Sequence, residues 1–286
     1  MKKILLLIAM MGVLMGVISC SDDDEPKRGN GVFTVNTPMV NHLYNTHSDQ
    51  ALGMAATHNK LVLDTVKHKA SLELNYNDGQ GDKVLKLDGL SATPKRLGFY
   101  VLSSPSDNSF SGYVDINESS IRYRYVTTDG IRVISTTPDV FFLKTHNTVT
   151  YDDTTKATVS ESVMYQFGIV PSSKAASITV MSIVHAKDNK FFNNIIAKNV
   201  PYTVTPNGFT ITGNNIRTTA TYIARYDSSA VVPGVTPSVK TTDEYPFKTF
   251  NATIDLANDH LDANYMMGAS ATVVATGRTY PDYTSY

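Results

Sequence analysis

The chain has 286 residues, with 25 Lys and Arg against 26 Asp and Glu, 42% hydrophobic residues, one cysteine and no tryptophan. A near-neutral charge without a basic stretch excludes electrostatic capture of nucleic acid or of an anionic membrane surface, and the lone Cys20 excludes an intramolecular disulfide framework. The hydrophobic share suffices for one large or two small domains. The 16 tyrosines, with frequent Val, Thr and Ile, favour strands.

Met1-Lys2-Lys3 gives a positive start, and residues 4–18 form an apolar run. That run is shorter than the roughly 20 residues a spanning helix needs, so residues 1–19 read as an export signal. Its end, Val17-Ile18-Ser19-Cys20, resembles the bacterial lipobox, whose cysteine is acylated and becomes the mature N-terminus. Several acyl chains, at about 0.8 kcal/mol per buried methylene, hold a protein to a membrane where a single chain does not. Ser21 after the cysteine implies sorting to the outer membrane. The run Ser21-Asp22-Asp23-Asp24-Glu25 resembles an export signal for surface exposure, and a solvated tether is its plainer reading. Residues 1–19 carry two lysines and no acid, so the mature chain has 23 basic and 26 acidic residues.

Residues 26–30 form a polar linker with Pro26 and Gly29. Over 31–36, Val32, Thr34 and Asn36 alternate with Phe33 and Val35, which predicts a first strand. Residues 37–58 carry no sustained period, with at most a helical turn over 51–57. Beyond them, period-two segments predict strands over 60–66, 70–76, 84–87, 98–103, 112–116, 120–126 and 131–135, with 140–143 closing a first half. Asn77-Asp78-Gly79-Gln80-Gly81-Asp82 is a turn signal that makes 70–76 and 84–87 a hairpin.

The second half repeats the first. Lys69-Ala70-Ser71-Leu72-Glu73-Leu74 aligns with Ala175-Ala176-Ser177-Ile178-Thr179-Val180, and Leu97-Gly98-Phe99-Tyr100-Val101 with Asn207-Gly208-Phe209-Thr210-Ile211. The longest match sets Phe110, Val114, Asp115, Ile116, Ile121 and Tyr125 against Phe250, Ile254, Asp255, Leu256, Leu261 and Tyr265. These positions are apolar alternates and turn residues, which a shared core requires and a shared reaction does not. The prediction is an all-β chain of two tandem copies of an antiparallel β-sandwich or partly closed barrel unit. Residues 20–36 are then the lipidated N-terminus, acidic leader and linker, 37–148 the first unit and 149–286 the second. An insertion near 214–249, with Pro233, Gly234, Pro237 and Pro246, is either a surface excursion or a candidate binding loop.

Asn199-Val200-Pro201-Tyr202-Thr203-Val204 running into Gly208-Phe209-Thr210-Ile211, behind a lipobox, resembles the calycin-like and other domain-of-unknown-function lipoproteins of gut-type Gram-negative bacteria. The resemblance covers most of 150–275 and, more weakly, 60–145. It implies a β-sandwich or partly closed barrel on the cell surface and brings no established activity. A tryptophan-lined sugar platform is not carried over.

Motifs for chemistry are sparse. Histidines 42, 47, 58 and 68 crowd the first unit, but no HxH or HxxxH pair occurs, so no metal is expected. Asn75, Asn77, Gly79 and Asp82 faintly suggest a calcium loop, which a hairpin turn explains better. Asp115 and Asp255 hold equivalent places in the two copies and are expected to bond backbone at the following turn. Arg122-Tyr123-Arg124-Tyr125 alternates, so Arg122 and Arg124 share one face, as solvent-facing residues or as a planar ligand platform. Thr65 and Thr154, in Asp64-Thr65-Val66 and Asp153-Thr154-Thr155, resemble short O-glycosylation acceptors of exported proteins. No nucleophile elbow, phosphate loop or dinucleotide fingerprint occurs.

The expectation is a non-enzymatic, surface-anchored outer-membrane lipoprotein that binds or displays an extracellular ligand, a glycan or an envelope protein. Its one implied partner is membrane lipid through Cys20, with no cofactor and no nucleic acid. A fimbria-like assembly or anchor subunit is the alternative, and it requires an unpaired edge strand. A hydrolase is the third reading, and it requires a deep pocket holding a nucleophile and a base within reach.

Overall fold

The computed structural model describes residues 31–117, 120–152, 157–224 and 238–279. Among them the chain is all β apart from one 3-10 turn at Pro171–Ser173, as composition and alternation predict. The described residues divide into two compact units, one holding those within 31–41, Ala56–Val126 and Ser135–Thr137, the other those within His42–Ala55, Thr127–Ile134 and 138–279.

Eight strands close the first barrel in chain order. They are β1 (Val32–Asn45), β2 (Gln50–Asp64), β3 (Lys69–Asn77), β4 (Asp82–Arg96), β5 (Phe99–Ser103), β6 (Ser111–Asp115), β7 (Ser120–Val126) and β8 (Ile131–Thr136). The ladders from β2 to β7 are antiparallel. Period-two alternation sends Leu72, Leu74, Tyr123 and Val133 inward, where they are buried, while Lys86 and Arg124 face water. A register shift between Ala70 and Leu72 bends the β3–β4 hairpin.

The second sheet has strands β9 (Asp139–Tyr151), β10 (Thr158–Ser160), β11 (Met164–Val170), β12 (Ala175–His185), β13 (Lys190–Thr205), β14 (Gly208–Ile216), β15 (Thr219–Ala224), β16 (Val239–Thr242), β17 (Phe247–Asp255), β18 (His260–Met267) and β19 (Ala271–Thr279). Antiparallel ladders run β9–β11–β12–β13–β14–β17–β18–β19 and return from β19 to β9, so these eight strands also form a ring. Strand β10 adds to β9, and β15 with β16 adds to β13. The core is aromatic: Phe142, Tyr165, Phe167, Phe192, Phe209, Phe247, Phe250 and Tyr265 are fully buried. Phe167 meets Phe142 and Phe209 edge to face, with centroids 5.9 and 6.4 Å away. Each such buried ring contributes about 1.5–3 kcal/mol by burial alone. Along β17, Phe250, Ala252 and Ile254 point inward while Lys248, Asn251 and Thr253 point outward. A bilayer-spanning barrel has the reverse pattern, with apolar residues outward.

The duplication is visible in the order of pairing. The three repeated sequence blocks fall on β3 and β12, on β5 and β14, and on β6–β7 and β17–β18. Those strands hold matching places in the two rings, and the β12–β13 hairpin repeats the register shift, here between Ala176 and Ile178. Three expectations change. The strand read at 140–143 as closing the first half belongs to β9, which opens the second sheet; a boundary at 148/149 thus falls inside β9. No helical turn forms over 51–57, because those residues lie in β2, where sheet pairing overrides the helical preference of Ala, Leu and Met. The insertion is in part ordered sheet, with β15 pairing residues 190–196 of β13 and β16 pairing β15.

Candidate functional site

Each barrel holds a hydrogen-bonded polar group inside its apolar core. In the first, Asn59 Nδ2 donates to the Tyr123 hydroxyl and, at 3.0 Å, to Ser135 Oγ. Ser135 Oγ donates in turn to Asn41 Oδ1 at 2.7 Å, and Asn59 Oδ1 accepts the Asn75 N–H at 2.9 Å. In the second, the Tyr165 hydroxyl donates to Asn147 Oδ1 at 2.6 Å and lies 2.9 Å from the Tyr265 hydroxyl. Burial holds the phenols of Tyr123, Tyr165 and Tyr265 above their usual pKa, so they stay neutral donors. These networks lie sealed in the core and position strands. They offer a ligand no access.

The insertion carries a second constellation. Tyr245, just before β17, donates its hydroxyl to Asp188 and accepts from Lys190 Nζ at 2.7 Å. The Lys190 ammonium sits 4.7 Å from the ring centroids of both Tyr222 on β15 and Tyr245. His185, at the end of β12, is buried between Tyr151 and Tyr245, with ring centroids 5.1 and 5.6 Å away. Its Nδ1 accepts the Asp188 N–H at 3.2 Å, which places the ring proton on Nε2. Burial lowers the His185 pKa, with the Asp188 carboxylate opposing. The chemistry resembles an acid–base set, but the Tyr245 hydroxyl, the Lys190 ammonium and the Asp188 carboxylate are turned onto one another. The arrangement fastens the insertion to the β12–β13 turn.

The same unit holds a clasp that the sequence does not reveal. His42 Nε2 donates to the Thr205 carbonyl at 2.7 Å, and its buried Nδ1 meets no acceptor or donor among the described residues. Arg132 Nη2 donates to the Pro206 carbonyl at 2.6 Å and to Asn207 Oδ1 at 3.0 Å, with its guanidinium 4.5 Å from the centroid of the Tyr44 ring. Burial lowers the His42 pKa, the Thr205 hydrogen bond opposes it and Arg132 adds to it.

The surface best arranged to meet a ligand is the outer wall of β14, β17, β18 and β19. Sheet register puts Thr210, Thr253, Asp262 and Thr276 in one cross-strand row and Thr212, Asn251, Asn264 and Val274 in the next. All but Thr210 are exposed, and Thr210 is half-buried. Between the rows Ala252, Ala263 and Ala275 point inward. Their small side chains let the wall dish, and a hollow of about 290 Å³ lies over it. At its rim His260 Nε2 donates to Asp262 Oδ1 at 3.1 Å. Another hollow of the second unit, about 440 Å³, lies against Leu52, Gly53, Met54, Lys174, Tyr202, Thr203 and Val204. It presents one charged side chain and fewer convergent polar groups.

The residues singled out in the sequence fare differently. Cys20, the leader Ser21, Asp22, Asp23, Asp24 and Glu25, and Thr154 lie outside the described residues. Thr65 is buried, with its hydroxyl donating to the Gly31 carbonyl at 3.0 Å and accepting the Gly31 N–H at 2.9 Å. Arg122 and Arg124 do not form one exposed platform. Arg124 is exposed and reaches Ser111 Oγ at 3.4 Å, whereas Arg122 is buried beside its cross-strand neighbour Tyr113, itself buried. Asp115 Oδ1 and Asp255 Oδ1 accept the backbone N–H of Asn117 and Asn258, at 3.0 and 2.8 Å, the local role expected of them. Asp115 also pairs with Arg96 at 2.6 Å. The Asn77 to Asp82 segment is the hairpin turn, with Asn77 Nδ2 donating to Asp82 at 2.9 Å. No group of three or more His, Cys, Asp and Glu with metal-binding geometry occurs among the described residues. Comparison with family models, with curated proteins and with solved structures returns no match for this chain.

Proposed function

We propose that the protein is a non-enzymatic lipoprotein, anchored to the outer membrane through Cys20, that binds an extracellular glycan on the outer wall of its second barrel. The observation that carries this reading is the in-register grid of Thr, Asn and Asp side chains over the dished wall. Neighbouring strands are about 4.8 Å apart, so the grid repeats on the scale of a sugar ring. The carboxamides of Asn251 and Asn264 donate and accept, the Asp262 carboxylate accepts, and the threonines add hydroxyls beside methyl groups that suit the C–H face of a pyranose. A protein-binding surface is normally centred on aromatic and arginine side chains, and this wall presents none in the grid. The sealed network around Tyr165, and the mutual pairing of Tyr245, Lys190 and Asp188, favour binding over hydrolysis.

The reading predicts that the purified full chain binds a subset of a glycan array and that Asn251→Ala, Asp262→Ala and Asn264→Ala each weaken binding without shifting the melting temperature. Binding that survives the triple substitution would place the ligand elsewhere. The anchor is tested separately. Cys20→Ala is expected to move the protein from the membrane to the soluble fraction, and unchanged membrane fractionation would remove it.

A further inference from the structure

The two barrels differ at one edge. In the second, residues 190–196 of β13 pair with β12 on one side and with β15 on the other. In the first, the corresponding part of β4, Asp82 to Leu90, pairs with β3 alone among the described residues, because β5 joins β4 only from Ser91 onward. The first copy lacks the insertion that covers this edge in the second. The effect on the core is direct: Ile195, facing Ala220 of the covering strand, is fully buried, whereas the matching Leu85 and its neighbour Leu87 stay half-buried. A strand edge with open N–H and C=O groups and half-exposed leucines is a template for a further strand.

The sequence of that edge complements itself. Set antiparallel to a second copy across a two-fold axis at Val84, it brings Asp82 opposite Lys86 of the copy, twice by symmetry, on the outward face. Moving the axis to Leu85 opposes Asp82 to Asp88, and moving it to Lys86 opposes that lysine to itself. Moving it to Leu87 opposes Lys86 to Asp88 but runs the ladder into Gly89, whose φ of +68° lies at the register shift of the hairpin, so the Val84 register is the one that joins five regularly extended residues with opposite charges facing. Lys86 already leans toward Glu73, with 3.4 Å between the charged atoms, which keeps the ammonium on the outer face. We infer that the exposed edge of β4 takes a second copy of this chain, forming a two-fold dimer by antiparallel β4–β4 pairing centred on Val84.

The test uses the scarcity of cysteine. Val84 is 59% exposed, so Val84→Cys is benign to the fold, and facing residues of an antiparallel pair have Cα atoms about 4.5–5.5 Å apart, within disulfide reach. In cells making the full chain, mild oxidation is expected to link the Val84→Cys protein to itself, and a control Val66→Cys, equally exposed at the β2–β3 turn, is expected to stay unlinked. Asp82→Lys or Lys86→Asp added to Val84→Cys should each reduce the linked fraction several-fold, and the two together should restore it. Restoration isolates the intersubunit pair, since the clash with Glu73 remains in the double variant. Linkage no greater than in the Val66→Cys control, a double variant no better than the singles, or linkage to a different protein would each overturn the proposal. None of these outcomes depends on glycan binding by the second barrel.

Discussion

Tyr245 makes the attachment of the insertion measurable. Replacing it by Phe keeps the ring against His185, Phe192 and Lys190 and removes only the hydroxyl, which donates to Asp188 and accepts from Lys190. Hydrogen bonds to charged groups contribute about 1.5–3 kcal/mol, and since water can reach Asp188 and partly replace the lost donor, the low end applies, about 1.5–2 kcal/mol in all. In a domain of this size that lowers the midpoint of melting by about 3–8 °C. Tyr245→Ala removes the ring as well and should cost about 3–5 kcal/mol. Thermal and urea unfolding of the full chain, followed by tyrosine emission in the absence of tryptophan, separates the two. A Tyr245→Phe protein melting within about 1 °C of the parent would refute the claim that this hydroxyl holds the insertion to the sheet.

Acid should loosen the second unit before any carboxylate titrates. His42 and His185 both have lowered pKa values when folded, chiefly through burial. The unfolded chain therefore takes up protons first. Their contribution is complete above the ordinary histidine value near 6.5 and falls below it, by at most about 1.4 kcal/mol per pH unit for each histidine, until the lowered folded value is passed. Urea midpoints between pH 7.5 and 5 should decline, and a His42→Gln, His185→Gln double variant should show a shallower decline; parallel curves would contradict this. Gly208→Ala should destabilise by about 1–3 kcal/mol, since its Cβ would run into the Ile254 carbonyl oxygen and lie 2.9 Å from Leu256 N; a neutral effect in chemical denaturation would show that the β14–β17 contact relaxes freely. Asn59→Ala should cost about 1–3 kcal/mol by stranding the Asn75 N–H in the first core and removing a donor from Tyr123 and from Ser135, and an unchanged urea midpoint would remove the network from the account of stability.

Most strands were legible because their information is local. Residues 70–76 alternate, the Asn77 to Asp82 segment carries turn chemistry, and β3 with β4 forms the predicted hairpin. Strand β2 was illegible where Ala51-Leu52-Gly53-Met54-Ala55-Ala56 has no period of two, so that neighbours in the sheet decide its conformation. Strand β4 was read as 84–87 but continues through Pro94 to Arg96, with Pro94 paired against Tyr100. The candidate site was harder still. Thr210, Asn251, Asp262 and Thr276 are ordinary outward positions of separate strands, and they become a grid only through pairing registers that link distant segments. The Tyr245–Lys190–Asp188 fastening is likewise invisible at the spacing of its residues along the chain.

Closure of the second ring sets the order of events during folding. Tyr151 pairs with Ala271, and Val149 with Val273, so the seam of that barrel joins the first strand of the sheet to its last. Ladders between neighbours in sequence, such as β11 with β12, can form early, but the seam pays a long-loop entropy and must wait for the final strand. A chain synthesised or threaded N-terminus first therefore presents an open, sticky rim on β9 for most of its passage, and any loss of β19 leaves that rim permanently bare.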